Sequence, residues 1–168
     1  CMNDLNDLVN QWIAKGRFPK NVKFKNLSFP ILGLGTILLG RCWPVDNKIY
    51  KLPSIDEINN HMDIAYNEGI RFFDTAAAYG LSEERLGQYF RSNQNLLKNC
   101  FIGTKWGEDF DLMTEKTMID HALKNLNKSF ERSLHNLCKI DLLYIHQANA
   151  NVLMDSEIQR AMNEYKTK

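Results

Sequence analysis

Residues 70–79 read IRFFDTAAAY, a short apolar run that stops on Asp74 and is followed five residues later by Tyr79. Two further runs end in the same way: residues 101–104 (FIGT) lead into Lys105, and residues 141–145 (DLLYI) lead into His146. Helix-patterned stretches separate these runs, so the order reads βαβαβ, the alternation of a parallel sheet with crossover helices. In such folds chemistry gathers at the carboxyl ends of the strands. Neighbouring strands lie only about 4.8 Å apart, so groups at those ends can converge. Taken singly, each residue has a plainer reading. Asp74 can cap a turn, Lys105 can be a solvated charge, His146 can be a hydrogen-bonded structural residue, and Tyr79 can cover the core with its ring. Their common place favours a joint role. An acid, a phenol, an amine and an imidazole buried together must pair with one another.

Outward from these runs, residues 31–35 supply a first strand and residues 22–30 a small hairpin before it. Residues 4–15 put Leu5, Leu8, Val9, Trp12 and Ile13 on one face of a short amphipathic helix. Ser54 followed by Glu57 is a capping-box signal for a helix to about residue 67, closed by Gly69, with Ile58, Met62 and Ala65 as its buried stripe. Ser82 is placed to cap a helix over residues 83–91, with Glu83 and Glu84 in its first turn. A third helix is expected over residues 115–137, its inner face formed by Ile119, Ala122, Leu123, Leu126, Phe130, Leu134 and Leu137. A last one begins near Met154. Four β–α units occupy the 168 residues, whereas a closed eight-stranded barrel takes about 250.

Composition narrows the classes. Hydrophobic residues at 44% and charged residues at 24% are those of a globular domain. A net charge of +1 offers no basic patch for nucleic acid. The apolar stretch over residues 29–40 is 12 residues long, too short to span a bilayer, and Asp4, Asp7 and Lys15 interrupt any signal-peptide core. The expectation is a cytoplasmic protein with no membrane partner. Cys1, Cys42, Cys100 and Cys138 are scattered without a C-x-x-C pair, so reduced thiols are expected and a metal is not.

Four motifs now carry a resemblance. Residues 73–87 (FDTAAAYGLSEERLG) closely resemble the second-strand motif of the aldo-keto reductases, and residues 32–36 (LGLGT) their first barrel strand. Residues 102–106 (IGTKW) are similar to the third strand, residues 133–146 (SLHNLCKIDLLYIH) to the third helix and fourth strand, and residues 155–168 to the fourth helix. The fold this implies is α/β: residues 1–168 form the N-terminal half, about four β/α units, of a (β/α)8 TIM barrel, preceded by a short helix and a β-hairpin.

The resemblance also implies NADPH (NADP) as cofactor and the reduction of a small aldehyde or ketone. Tyr79 would be the general acid, Lys105 would assist its proton transfer, and Asp74 would hold the ammonium and lie near the cofactor ribose. His146 would hydrogen-bond the substrate carbonyl, while Gly35 and Thr36 would pass near the nicotinamide. Trp43 and Trp106 can wall the substrate site, or equally can be rings packed under a loop. In the family, the adenine and phosphate contacts come mostly from loops after later strands, so a choice between NADP and NAD is not legible. The chain is expected to be a fragment or truncated product with impaired activity alone. Alternatives are a half-barrel that self-associates, two copies setting first strand against fourth, or a non-catalytic, cofactor-sensing regulatory subunit. In either case the inward faces of Leu32, Leu34, Phe72, Phe101, Leu143 and Ile145 are expected to be partly uncovered.

Overall fold

The structure is a computed structural model and describes residues 21–24, 27–42 and 51–166. The expected helix over residues 4–15 and the side chain of Trp43 lie outside the described residues. The described residues open with an antiparallel hairpin, β1 (Asn21–Phe24) and β2 (Leu27–Pro30), as the weak alternation predicted. Strand β3 (Gly33–Gly35) follows, then a short helix α1 (Ile37–Gly40). Helix α2 (Ile55–Asn67) leads into β4 (Phe72–Asp74), and helices α3 (Ser82–Ser92) and α4 (Gln94–Leu97) lead into β5 (Phe101–Trp106). A second hairpin, β6 (Glu108–Asp111) with β7 (Lys116–Ile119), precedes helix α5 (Leu123–Leu137) and strand β8 (Leu142–Ile145). Helices α6 (Ala150–Met154) and α7 (Ser156–Tyr165) close the described chain. The main sheet is parallel throughout, in the order β3-β4-β5-β8.

Local chemistry explains the boundaries. Ser54 and Glu57 form the full capping box at the start of α2, each side chain bonding the other's backbone N–H. Gly69 takes φ +93° just beyond its end, a conformation that glycine reaches without strain. Two apolar clusters then fix the helices to one face of the sheet. Ile58, Met62, Leu86, Tyr89 and Phe90 pack on Phe73, Ile102 and Leu34, while Leu126 and Ile158 pack on Trp106, Leu143 and Ile145. Each fully buried large side chain, such as Phe73 or Phe90, stabilises the fold by about 1.5–3 kcal/mol.

Strand parity corrects one expectation. Leu34, Leu143 and Ile145 belong to the helix side of the sheet and are packed there, because alternate residues point to opposite faces. The opposite face carries Gly33, Phe72, Gly103 and Tyr144. A Cβ on Gly33 would stand 2.5 Å from the Phe72 ring, and one on Gly103 would stand 3.1 Å from it. The Phe72 ring therefore uses the space these glycines leave.

Two further expectations fail. Residues 115–119 do not begin the third helix; they form the whole of β7 and the end of the turn before it. Asp111 Oδ1 accepts the N–H groups of Met113 and Thr114, which closes a tight turn, and Glu115 takes φ +55°. The β-branched Thr117 and Ile119 suit a strand, and Asp120 Oδ1 accepts from Ala122 N immediately before the helix starts. The second miss is Ser82. Leu81 occupies the cap position, and Ser82 lies inside the first turn of α3 with its hydroxyl buried. Its Oγ accepts from the Thr75 hydroxyl at 3.0 Å and lies 2.8 Å from the Thr36 carbonyl oxygen. Tertiary bonds claimed this serine before helix capping could. No helix among the described residues is long and apolar enough to cross a membrane.

Candidate active site

Strands β4, β5 and β8 end side by side, so their last residues meet. Asp74 ends β4 and pairs in register with Gly103 of β5; Lys105 lies two residues further on and so points to the same face. The Lys105 ammonium has three protons, and each finds an acceptor. Its Nζ donates to Asp74 Oδ2 at 2.6 Å, to the Thr75 carbonyl at 2.9 Å and to the Tyr79 hydroxyl at 3.2 Å. The Lys105 and Asp74 side chains remain 17% and 31% exposed, so the ion pair is open to solvent at one side.

Tyr79 reaches this point because the chain after β4 continues across β5. Thr75 N donates to the Gly103 carbonyl and Ala77 N to the Lys105 carbonyl. Residues 75–78 are all buried. A turn follows, with Tyr79 N bonded to Ala76 O and Gly80 at φ +61°. Here the backbone of Gly40 crosses: Leu81 N donates to Gly40 O, and a Cβ on Gly40 would stand 2.4 Å from Tyr79 O. Only two glycines permit this approach, and it anchors the turn that carries the phenol.

His146 follows β8, and its ring meets the Tyr79 ring edge-on, centroids 6.0 Å apart. Its backbone N–H donates to Trp106 O at 2.7 Å, and its carbonyl accepts from His121 Nε2 at 2.7 Å. Glu108 Oε2 lies 2.9 Å from His146 Nδ1. The pair is close by distance but not in line for a full hydrogen bond, and neither atom has another partner. Burial holds the imidazole below its ordinary pKa; Glu108 opposes this, Lys105 adds to it, Asp74 opposes it and His121 adds to it.

Asp74, Tyr79, Lys105 and His146, expected to act together, are thus brought together, and the other expectations divide. Gly35 is exposed, and a Cβ added there would meet nothing within 4 Å, so the space before it is open. Thr36 is 1% exposed and its hydroxyl donates to the Asp74 carbonyl at 2.9 Å. Its side chain ties β3 to β4. Trp106 is fully buried against Leu126 and Ile158. It lies one residue past Lys105 and so on the other face, which removes it as a wall of the substrate site. Sequence reading missed Glu108 altogether. A carboxylate immediately after the third strand end was the available signal, hidden because the hairpin that carries it was not recognised. Among the described residues no group of three His, Cys, Asp or Glu side chains is placed to hold a metal.

Comparison with known proteins agrees with this fold. The model of the aldo/keto reductase family matches residues 31–168. A D-threo-aldose 1-dehydrogenase of a Pseudomonas species is 29% identical over 144 residues, covering 71% of this chain and 40% of that protein. A crystal structure described as an aldo-keto reductase of Pseudomonas aeruginosa superposes with a TM-score of 0.71 at 30% identity, over 89% of this chain and 55% of that one. The holo form of an aldo-keto reductase from Bacillus halodurans shares the fold, with a TM-score of 0.70 at 24% identity over 89% of this chain and 47% of that one. The chain spans about half the length of these relatives. Its sheet corresponds to part of their α/β barrel. Strand order, site geometry and the family match over residues 31–168 converge on one conclusion: this chain belongs to the aldo/keto reductase family.

Proposed function

We propose that this chain carries the proton-transfer half of a nicotinamide-dependent oxidoreductase that interconverts a small aldehyde or ketone and its alcohol. The observation that carries the reading is the position of Lys105 Nζ between Asp74 Oδ2 and the Tyr79 hydroxyl, 2.6 and 3.2 Å away. Tyr79 delivers a proton from its hydroxyl to the substrate oxygen, a contribution of about 10²–10⁴-fold in rate for general acid catalysis. Lys105 fixes the phenol oxygen and supplies positive charge beside it as the proton leaves. Asp74 holds the ammonium by a charge-assisted bond, and its exposed part is free to accept from a ribose hydroxyl. NADPH, when bound, supplies the hydride. The open space before Gly35, beside Asp74, suits the flat nicotinamide end.

The test follows NADPH oxidation by the purified chain with a panel of small aldehydes. Slow, aldehyde-dependent oxidation that disappears in Tyr79→Phe is expected, with the NADPH fluorescence titration unchanged by the substitution. No oxidation, or oxidation that survives Tyr79→Phe, overturns the reading.

A further inference from the structure

Strand β8 ends at Ile145, yet the backbone of His146 is bonded on both sides. Its N–H donates to Trp106 O at 2.7 Å, and its carbonyl lies 2.7 Å from Nε2 of His121, 25 positions earlier in the chain. A carbonyl oxygen only accepts, so the proton of this bond sits on Nε2. The next residue, Gln147, takes φ +53°, a left-handed conformation that residues other than glycine seldom adopt. Strained backbone of this kind persists where neighbouring bonds hold it, and it gathers at functional sites. Here the peptide joining His146 to Gln147 presents its oxygen to the His121 imidazole. His121 is itself firmly seated. Asp120 N donates to Gly107 O at 3.0 Å, and the His121 ring meets Trp106 edge-on, centroids 5.8 Å apart. Gly107 takes φ +100°, and a Cβ added there would stand 2.4 Å from Cδ2 and 2.6 Å from Nε2 of the ring, and 3.2 Å from His146 O. Glycine leaves the room in which ring and carbonyl meet.

We infer that His121 is a positioning residue: its Nε2–H holds the His146 carbonyl and so keeps the His146 ring against that of Tyr79. With N–H and carbonyl both fixed, the direction in which the side chain leaves the backbone is fixed as well. The ring then stands edge-on to Tyr79, centroids 6.0 Å apart. Without the bond, Gln147 is free to relax to an ordinary φ, which turns the peptide plane and carries the His146 ring with it. Hairpin β6–β7 is what delivers His121: the chain leaves β5 at Gly107 and comes back to it at Asp120. The part that His146 plays in the reaction is unaltered by this; His121 decides where its ring stands.

The consequence for turnover rests on the proposed oxidoreductase reading, whereas the contact is read by itself. In the isotope-labelled whole chain, nitrogen-15 spectra report which ring nitrogen of His121 carries the proton. Nuclear Overhauser contacts report whether the His146 ring lies beside that of Tyr79. The wild type is expected to show Nε2–H at His121 and the Tyr79–His146 contact. His121→Phe keeps a ring beside Trp106 but has no donor. The Tyr79–His146 contact should be lost in it, and aldehyde-dependent turnover should fall by about 10²-fold. His121→Gln places an amide N–H near the same position and should restore both. Unmoved signals from the exposed His61 and His135 show that a variant has kept its fold; if His121→Phe has not, His121→Ala replaces it with the same losses expected. A bare Nε2 in the wild type, a ring contact or wild-type turnover that persists in the folded variant without a donor, or no rescue by His121→Gln overturns the inference. Should the ring contact follow these variants while even the wild type oxidises no NADPH, the positioning stands and the oxidoreductase reading alone falls.

Discussion

Lys105 donates to the hydroxyl of Tyr79 across 3.2 Å, and a 2.6 Å bond to Asp74 holds the same nitrogen from the other side. The three residues come from two adjacent strands and the turn that follows one of them. Distance at the site is therefore a consequence of strand register, Asp74 opposite Gly103, and of the loop that stitches residues 75–77 onto β5. Moving the register by one residue would turn Lys105 to the helix side.

Lys105→Met should separate catalysis from stability. The ion pair is partly exposed, and such pairs contribute about 1 kcal/mol or less. Turnover should fall by about 10²-fold or more, because the phenol loses its charged partner. A rate near that of the wild type, measured beside an unchanged thermal melt, would remove Lys105 from the mechanism.

Glu83 gives a pH prediction of its own. It is 3% exposed, and burial raises its pKa, opposed by hydrogen bonds from Thr104 and Ser133, the charge of Arg132 and a bond from Asn136. The Thr104 hydroxyl donates to Oε1 at 2.5 Å. An acid whose folded pKa is raised binds its proton more tightly in the folded state, so its contribution to stability is fully present below the ordinary carboxyl value and is lost as pH rises through the raised one. Glu83→Gln keeps the acceptor oxygen without the charge. Its melting temperature should exceed that of the wild type at neutral pH and match it in acid; an equal difference at both pH values would refute the argument.

Gly40→Ala probes the turn that carries Tyr79. The added Cβ would lie 1.9 Å from Ser82 N and 2.4 Å from Tyr79 O, both backbone atoms. Overpacking of this kind costs about 1–3 kcal/mol. A lowered denaturation midpoint is expected, together with a loss of turnover larger than the loss of folded protein explains. Wild-type stability in this variant would show that the crossing is looser than described.

The edges of the sheet predict self-association. Strands β3 and β8 each have a single neighbour among the described residues, and Leu32 and Tyr144 are 53% and 42% exposed. An apolar groove lined by Phe130, Leu134, Ile140, Leu142, Met162 and Tyr165 runs beside β8 at the end away from His146. Unpaired, apolar edges seek partners. Sedimentation of the purified chain should show dimers or larger species at micromolar concentration, and a monodisperse, cooperatively melting monomer would contradict this.

Some of this molecule was decided by local pattern alone. Apolar runs ending on Asp74, Lys105 and His146, separated by helical periodicity, specify parallel strands because only a crossover helix can return the chain to the same edge. The Ser54–Glu57 box is likewise local, since its bonds close within one turn. Tertiary structure decided the rest. Ser82 looked like a cap, yet it bonds to Thr36 and Thr75, and Thr36 to Asp74, across three separate segments. Trp106 was turned away from the site by strand parity, and the hairpin at residues 108–119 set Glu108 against His146. Hydrogen bonds within a few residues are written in composition and spacing. Those joining residues dozens of positions apart depend on which backbone segments finally lie side by side, and only the folded chain determines that.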